Sequence, residues 1–243
     1  MPGSELLISR GGWLEQDGFL LEPRLRALGL RHGFTTRRLG GMKDASQRDA
    51  AAALLGLPAP LLLKQVHGTT IYRAAHSAQG LDGDGWTLGP GDEGLCVAVF
   101  TADCMPLYLW TDDGKYAGVF HAGWKGMAAG MPAKAVAALV ERGAQASRLQ
   151  AAFGPHISAD VYKVGKELES LFPAESFRRS GGDVFLDLDS DARRQLVAAG
   201  VCADMIGPAA PCTLAHADSY HSFRRAKDGA RMLAFLSLDR RVE

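Results

Sequence analysis

Between Leu95 and His121 the chain reads LCVAVFT, PLYLWT and YAGVFH, three apolar stretches of strand length with only short polar interruptions. Continuous runs of this kind predict buried strands, because a half-exposed strand would alternate apolar with polar residues. Asp112-Asp113-Gly114-Lys115, between the second and third run, has the residues of a hairpin turn. Strands of this buried type need neighbours to cover them, and an all-helical fold is excluded.

The flanking sequence supplies both strands and helices. Residues 1–31 predict short strands and turns, and RHGFTTRRLGG predicts a strand running into a Gly-rich loop. Residues 46–55 are helical in composition and are stopped by Gly56 and Pro58. Residues 61–66 and 69–74 predict strands on either side of a kink at His67 and Gly68. GLDGDGWTLGPGDEG (80–94) is dense in Gly, Asp and Pro and predicts a loop. Further helices are expected over 127–142, capped by Gly143, and over 166–172 and 191–199. Further strands are expected at LQAAFG (149–154), VFLDL (184–188) and MLAFLSL (232–238). Strands and helices mix without a regular βαβ rhythm, which points to a mixed α/β or α+β fold rather than a dinucleotide-binding one. A length of 243 residues suits one large domain spanning 1–243.

Charge is balanced, 27 basic against 27 acidic side chains, so neither nucleic acid nor an anionic membrane is an expected partner. The longest apolar run, LLGLPAPLLL (54–63), is too short to span a bilayer and contains two prolines. Residues 1–18 lack the apolar core of a secretory signal. A cytoplasmic location is therefore expected, with Cys96, Cys104, Cys202 and Cys212 reduced.

Three polar islands, KQVHG, TADCMP and HAGWKG, interrupt the apolar runs. They carry His67, Cys104 and His121, separated by 37 and 17 residues. Two imidazoles and a thiolate suit zinc or copper, and three protein ligands leave a position open for water or substrate. The chain has no Cys-x-x-Cys knuckle of the sort that closes a structural zinc site. The plain alternative is a pair of strand-end histidines held by hydrogen bonds. A shared setting beside Gly68, Pro106 and Gly123, at the mouths of apolar strands, favours a site.

Three chemistries fit such a cluster. Zinc would ionise a water near pH ~7 or act as a Lewis acid. Copper would need a weak further ligand; Met105 adjoins Cys104, although strand alternation turns it toward a core. A multicopper cluster does not fit seven histidines without a His-x-His pair. Without metal, Cys104 and His121 would form a thiolate–imidazole pair for acyl transfer.

Neighbouring residues suggest supporting roles. Asp103 could orient a ligand histidine or form a turn. Lys125 could neutralise developing charge or cover Trp124. FTTRRLGG (34–41) and HSFRR (221–225) offer Arg38, Arg224 and Arg225 to a phosphate or carboxylate, and a Gly-rich turn beside Arg38 exposes backbone amides. Ordinary surface ion pairing is the alternative, and the cluster Arg224, Arg225, Lys227 and Arg231 reads as a solvated strip.

Taken in order, KQVHG, TADCMP, HAGWKG, GPHIS followed by VYKVG, and HSFRR with GARM resemble the bacterial laccase-domain family. That family was long labelled polyphenol oxidase and is now described as zinc-dependent purine nucleoside phosphorylase and adenosine deaminase. The resemblance runs over 34–238. It implies an α+β fold in which two mixed sheets pack together with helices outside, an α/β/β/α sandwich. It puts metal ligation on His67, Cys104 and His121, with zinc as cofactor and copper as the alternative. Expected partners are purine nucleosides (adenosine, inosine, guanosine, methylthioadenosine) and inorganic phosphate. The expected catalytic residues are Cys104, His121, Asp103 and Lys125; Arg38, Gln65, Arg224 and Arg225 are the expected substrate or phosphate contacts.

Two departures from the family pattern bear on the pocket. MKDASQRDA after Gly41 is much shorter than the usual loop, which leaves one pocket wall missing or rebuilt. Lys125 stands where arginine is usual, keeping the charge but losing the bidentate fork.

Overall fold

A computed structural model describes residues 7–8 and 10–240. The apolar centre forms the strands Met105–Thr111 and Ala117–Ala122, paired antiparallel with Trp110 opposite Ala117, as the hairpin pattern predicts. Leu149–Phe153 flanks the first, and Gly85–Leu88 followed by Ile71–Arg73 flanks the second. Only the last pair is parallel, so this five-stranded sheet is mixed. A seven-stranded sheet faces it. There Met232–Arg240 runs between Leu30–Thr35 and Val97–Thr101, with Leu61–Leu62 parallel at one edge.

Strand alternation sorts the side chains into three apolar layers. Tyr108, Trp110 and Val119 meet Val97, Val99, Ala234 and Leu236 of the facing sheet and fill the space between the two. Leu107, Leu109 and Phe120 point the other way, toward the helices Met131–Glu141 and Leu188–Ala198. Leu233 and Phe235, on the back of the seven-stranded sheet, are covered by Ala51 and Ala52 of the helix Ala45–Leu54. Each fully buried aliphatic or aromatic side chain contributes roughly 1.5–3 kcal/mol. Burial on both faces is why these strands read as unbroken apolar runs. The result is the α+β class and the α/β/β/α sandwich that the resemblance implies. A small third sheet of Lys163–Val164, Asp183–Leu186 and Phe177–Ser180 is added to the two expected.

Four local expectations change. GLDGDGWTLGPGDEG is not all loop, because Gly85–Leu88 is a buried strand within the five-stranded sheet. Trp86 and Leu88 are fully buried between the sheets, and that burial overrides a turn-rich composition. The helix expected over 127–142 is two helices, Trp124–Ala128 and Met131–Glu141. Gly130 separates them by taking a left-handed conformation at φ 85°. Only Leu61–Leu62 of 61–66 is strand. Beyond it, the Gln65 side-chain amide does the pairing, accepting from Phe100 N at 2.6 Å and donating to Phe100 O at 2.8 Å. Finally, 166–172 holds a short 3₁₀ helix, Lys166–Ser170.

Among the described residues no helix is long and apolar enough to cross a membrane. All four cysteines are unpaired.

Candidate metal centre

The kink at 67–68, the turn after Val97–Thr101 and the end of Ala117–Ala122 converge. His67, Cys104 and His121 each present one donor atom, and these atoms lie within 4.8 Å of one another. The two imidazole rings are 4.9 Å apart and inclined at 78°. His121 is buried, Cys104 half-buried and His67 exposed, and all three line a cavity of about 510 Å³.

The backbone at this site is held in an uncommon conformation. Of four non-glycine residues described with positive φ, two are His67 (φ 60°) and Asp103 (φ 93°), the latter adjoining Cys104. Such conformations cost of order 1–3 kcal/mol and persist only where surrounding contacts enforce them. For His67 the enforcing group is the buried carboxylate of Asp84. It accepts from the amides of Val66 (3.3 Å), His67 (3.0 Å) and Gly68 (2.7 Å). The same carboxylate receives the Nδ1 proton of His121 at 2.8 Å, which leaves Nε2 of that ring available as a ligand.

Two glycines of HAGWKG let the segments close on one another. A Cβ at Gly123 would lie 2.9 Å from Cys104 Sγ and 3.1 Å from His67 Cδ2. One at Gly126 would lie 2.8 Å from the Gly68 carbonyl oxygen. Any side chain at either place would push the donors apart.

Charge reinforces the geometry. Burial pushes the Cys104 thiol up, but the charge of His121 and hydrogen bonds from His121 and His67 outweigh it and draw it down to about 6. Burial also disfavours charge on His121, yet the Cys104 thiolate and the Asp84 carboxylate raise it to about 9. Burial pushes Asp84 upward too, while hydrogen bonds from His121, Gly68 and Val66 hold it below the ordinary carboxylate value. A thiolate formed at neutral pH beside a carboxylate-oriented imidazole is the donor chemistry that zinc and copper take. The three residues therefore fit a metal ion. Met105 is fully buried in the helix-side core and does not line the cavity.

The residues expected around the triad are placed differently. Gln65 lines the cavity with its amide committed to Phe100. Arg38 is exposed on the turn Arg37–Leu39, outside the cavity lining. Arg224 donates to the Lys163 carbonyl and lies 5.2 Å from the Tyr162 ring. Arg225 donates to the carbonyls of Thr213, Leu214 and Tyr220. Both guanidinium groups are spent on main-chain acceptors, Arg224 on the strand residue Lys163 and Arg225 on three loop carbonyls. Lys125 lies 5.6 Å from the Trp124 ring and also outside the cavity lining.

Asp103 meets no ligand histidine. Its carboxylate accepts from Thr213 Oγ1 (2.6 Å), Ser222 Oγ (3.0 Å) and the Arg224 amide (2.7 Å). It thereby ties HSFRR to the Cys104 turn, and Phe223 of that segment lines the cavity. Orienting a histidine falls to Asp84, which lies in the stretch that composition assigns to loop. The available signal was the strand-like Trp86-Thr87-Leu88 just after it.

Basic residues do line the cavity, but they are Lys43, Lys64 and Arg231. Lys43 belongs to the short segment after Gly41, so that segment contributes to the cavity wall.

Comparison with known proteins finds relatives over nearly the whole chain. A purine nucleoside phosphorylase of Deinococcus radiodurans is 34% identical, with 90% of this chain and 94% of that one aligned. A protein named adenosine deaminase RL5, from an unknown prokaryotic organism, is 33% identical over 55% of this chain and 54% of its own length. The crystal structure of YlmD from Geobacillus stearothermophilus matches with a TM-score of 0.81 at 28% identity, covering 94% of this chain and 98% of that one. YfiH of Bacillus licheniformis shares the fold with a TM-score of 0.83 at 24% identity, covering 93% and 98%. With residues 31–239 also matching the family described as multi-copper polyphenol oxidoreductase laccase, this chain belongs to that family.

Proposed function

We propose that this chain is a zinc-dependent purine nucleoside phosphorylase, acting on adenosine, inosine, guanosine and methylthioadenosine, with adenosine deaminase activity. The observation that carries the reading is the His67–Cys104–His121 donor set on the wall of a cavity of about 510 Å³. Small-molecule sites span roughly 300–1,000 Å³, so a nucleoside fits the space. The relatives named purine nucleoside phosphorylase and adenosine deaminase supply the reaction class.

His67, Cys104 and His121 would hold the zinc, which supplies Lewis-acid polarisation and an acidified water near neutral pH. The other residues orient and shape. Asp84 fixes the His121 ring through Nδ1 and the His67 backbone through its amide. Leu63, Phe100 and Phe223 offer an apolar wall to a purine, and Gln65 keeps Phe100 in place. In phosphorolysis, phosphate replaces the base at C1′ through an oxocarbenium-like transition state. Positioning and charge stabilisation then supply most of the rate. In deamination, water replaces ammonia at C6 of the adenine ring. The same reading has the chain act as one domain in the cytoplasm, where four free cysteines persist.

Incubating the purified protein with adenosine, with and without phosphate, tests the proposal. Adenine and ribose 1-phosphate are expected only with phosphate, and inosine without it. Zinc-loaded protein that yields neither product overturns the reading.

The family's description favours a second reading, copper-dependent oxidation of phenols. Stoichiometric copper in the native protein, with oxygen uptake on a phenolic dye, would replace zinc with that alternative. The low Cys104 thiol favours a third, a metal-free cysteine hydrolase. Activity that survives chelation but is lost in Cys104→Ala would select it.

A further inference from the structure

Resting on that reading, we infer that Lys43, Arg231 and Lys64 form an oxyanion subsite in the metal-lined cavity, where a phosphate group docks. These three cations line the same cavity as the triad, and among the described residues no carboxylate does. The whole chain has balanced charge, so this is a local concentration of one sign. Lys64 shares its charge with Asp82 at 3.1 Å. Among the described residues, no ion pair engages Lys43 or Arg231.

The placement of Lys43 and Arg231 is built by the backbone rather than left to long side chains. Met42 N donates to the Arg231 carbonyl at 2.9 Å, which pins the segment after Gly41 to the start of Met232–Arg240. Arg48 Nη1 donates to the carbonyls of Met42 (3.2 Å) and Lys43. Gly229, at φ 74°, leaves the space that Lys43 Nζ occupies; a Cβ there would collide with it. Arg231 packs its guanidinium 5.3 Å from the Phe223 ring and donates through Nη1 to Ala230 O. Of the five N–H donors of a guanidinium, most remain uncommitted.

An arginine fork binds two oxygens of a tetrahedral oxyanion and lysine adds a compact point charge. In a cleft with apolar walls such charges act through a lower dielectric than at an open surface. The ligand chemistry is therefore a phosphate oxyanion. Its source is either free inorganic phosphate or a phosphate carried by the substrate.

Calorimetric titration of zinc-loaded protein with inorganic phosphate, and separately with adenosine 5′-monophosphate, tests the subsite. The proteins compared are wild type, Lys43→Gln, Arg231→Gln and Arg38→Ala, with thermal melts to verify folding. Lys43 is exposed, so its substitution leaves the core untouched. The phosphate Kd is expected to rise about tenfold or more in Lys43→Gln and Arg231→Gln, and to stay unchanged in Arg38→Ala. The KM for phosphate should rise in parallel, with the KM for adenosine nearly constant. Lys43-dependent binding of the monophosphate alone keeps the subsite and makes the substrate the source. Equal phosphate affinity in all four proteins overturns it. Lys43-dependent phosphate binding without nucleoside turnover keeps the subsite and removes phosphorolysis. Turnover with the phosphate KM untouched by both substitutions does the reverse.

Discussion

Asp84 accepts the Nδ1 proton of His121 at 2.8 Å and, with the same carboxylate, the amides of Val66, His67 and Gly68. One buried side chain thus sets the ring of one candidate ligand, His121, and the left-handed backbone of a second, His67. Asp84→Asn keeps the size but removes the charge and turns a donor toward amide donors. Zinc affinity should fall about 10–100-fold, as for other partners of metal-bound histidines. Competition with a chromophoric chelator measures it, and an unchanged affinity would show that His121 needs no carboxylate.

Gly123 contributes only by what it lacks. Its φ of −76° and ψ of 171° are open to any L-residue, so Gly123→Ala strains no backbone. The added methyl meets Cys104 Sγ and His67 instead. The variant should fold and melt close to the metal-free wild type while binding far less zinc by elemental analysis. Full zinc occupancy would contradict the close approach.

In metal-free protein the Cys104 thiol titrates near 6, so iodoacetamide labelling of Cys104 should rise through about pH 6 and then level off. An unperturbed thiol reaches its midpoint near ~8.5. His121→Gln removes the charge that does most to lower Cys104 and should move the midpoint upward. Added zinc should suppress labelling throughout. Peptide mass mapping reads the site, and a wild-type midpoint near ~8.5 would show that the thiolate–imidazole pair does not form.

His156 should make the fold sensitive to mild acid. It is buried, and its Nδ1 donates to the Gly154 carbonyl at 2.9 Å. Burial lowers its pKa; the Gly154 hydrogen bond and the nearby Asp189 and Asp187 oppose this, and Arg193 adds to it. Above the unfolded value of ~6.5, both folded and unfolded chains hold the ring neutral and His156 adds no pH dependence to stability. Below it, the unfolded chain takes the proton first, so stability drops until the folded pKa is passed. His156→Asn should flatten the fall in the urea midpoint below about pH 6.5. Parallel curves for the two proteins would rule out His156 as the cause.

The legible parts of this fold are those whose environment is uniform along the strand. Met105–Thr111 is buried throughout, so its pattern is unbroken, and Asp112–Lys115 announces the turn. At Gly85–Leu88 the strand-like Trp86-Thr87-Leu88 is masked by the turn residues around it, and its strand state depends on Ala117–Ala122 and Ile71–Arg73 arriving on either side. Gly130 likewise looks like an ordinary interruption in an Ala-rich run, until its left-handed φ divides two helices.

The candidate site divides along the same line. His67, Cys104 and His121 stood out because few residue types bind soft or borderline metals. Asp84, Lys43 and Arg231 did not, because carboxylates and cations are common and their partners lie far away in sequence. HSFRR drew attention by its paired arginines, yet the carbonyls of Lys163, Thr213, Leu214 and Tyr220 occupy them.

Residue types and their short-range order determined the donor set and the apolar strands that carry it, since ligand chemistry and side-chain alternation are local properties. Tertiary structure alone decided which carboxylate orients His121 and which cations share its cavity. Hydrogen bonds and charge pairs act over a few ångströms of space, and that distance bears no relation to separation along the chain.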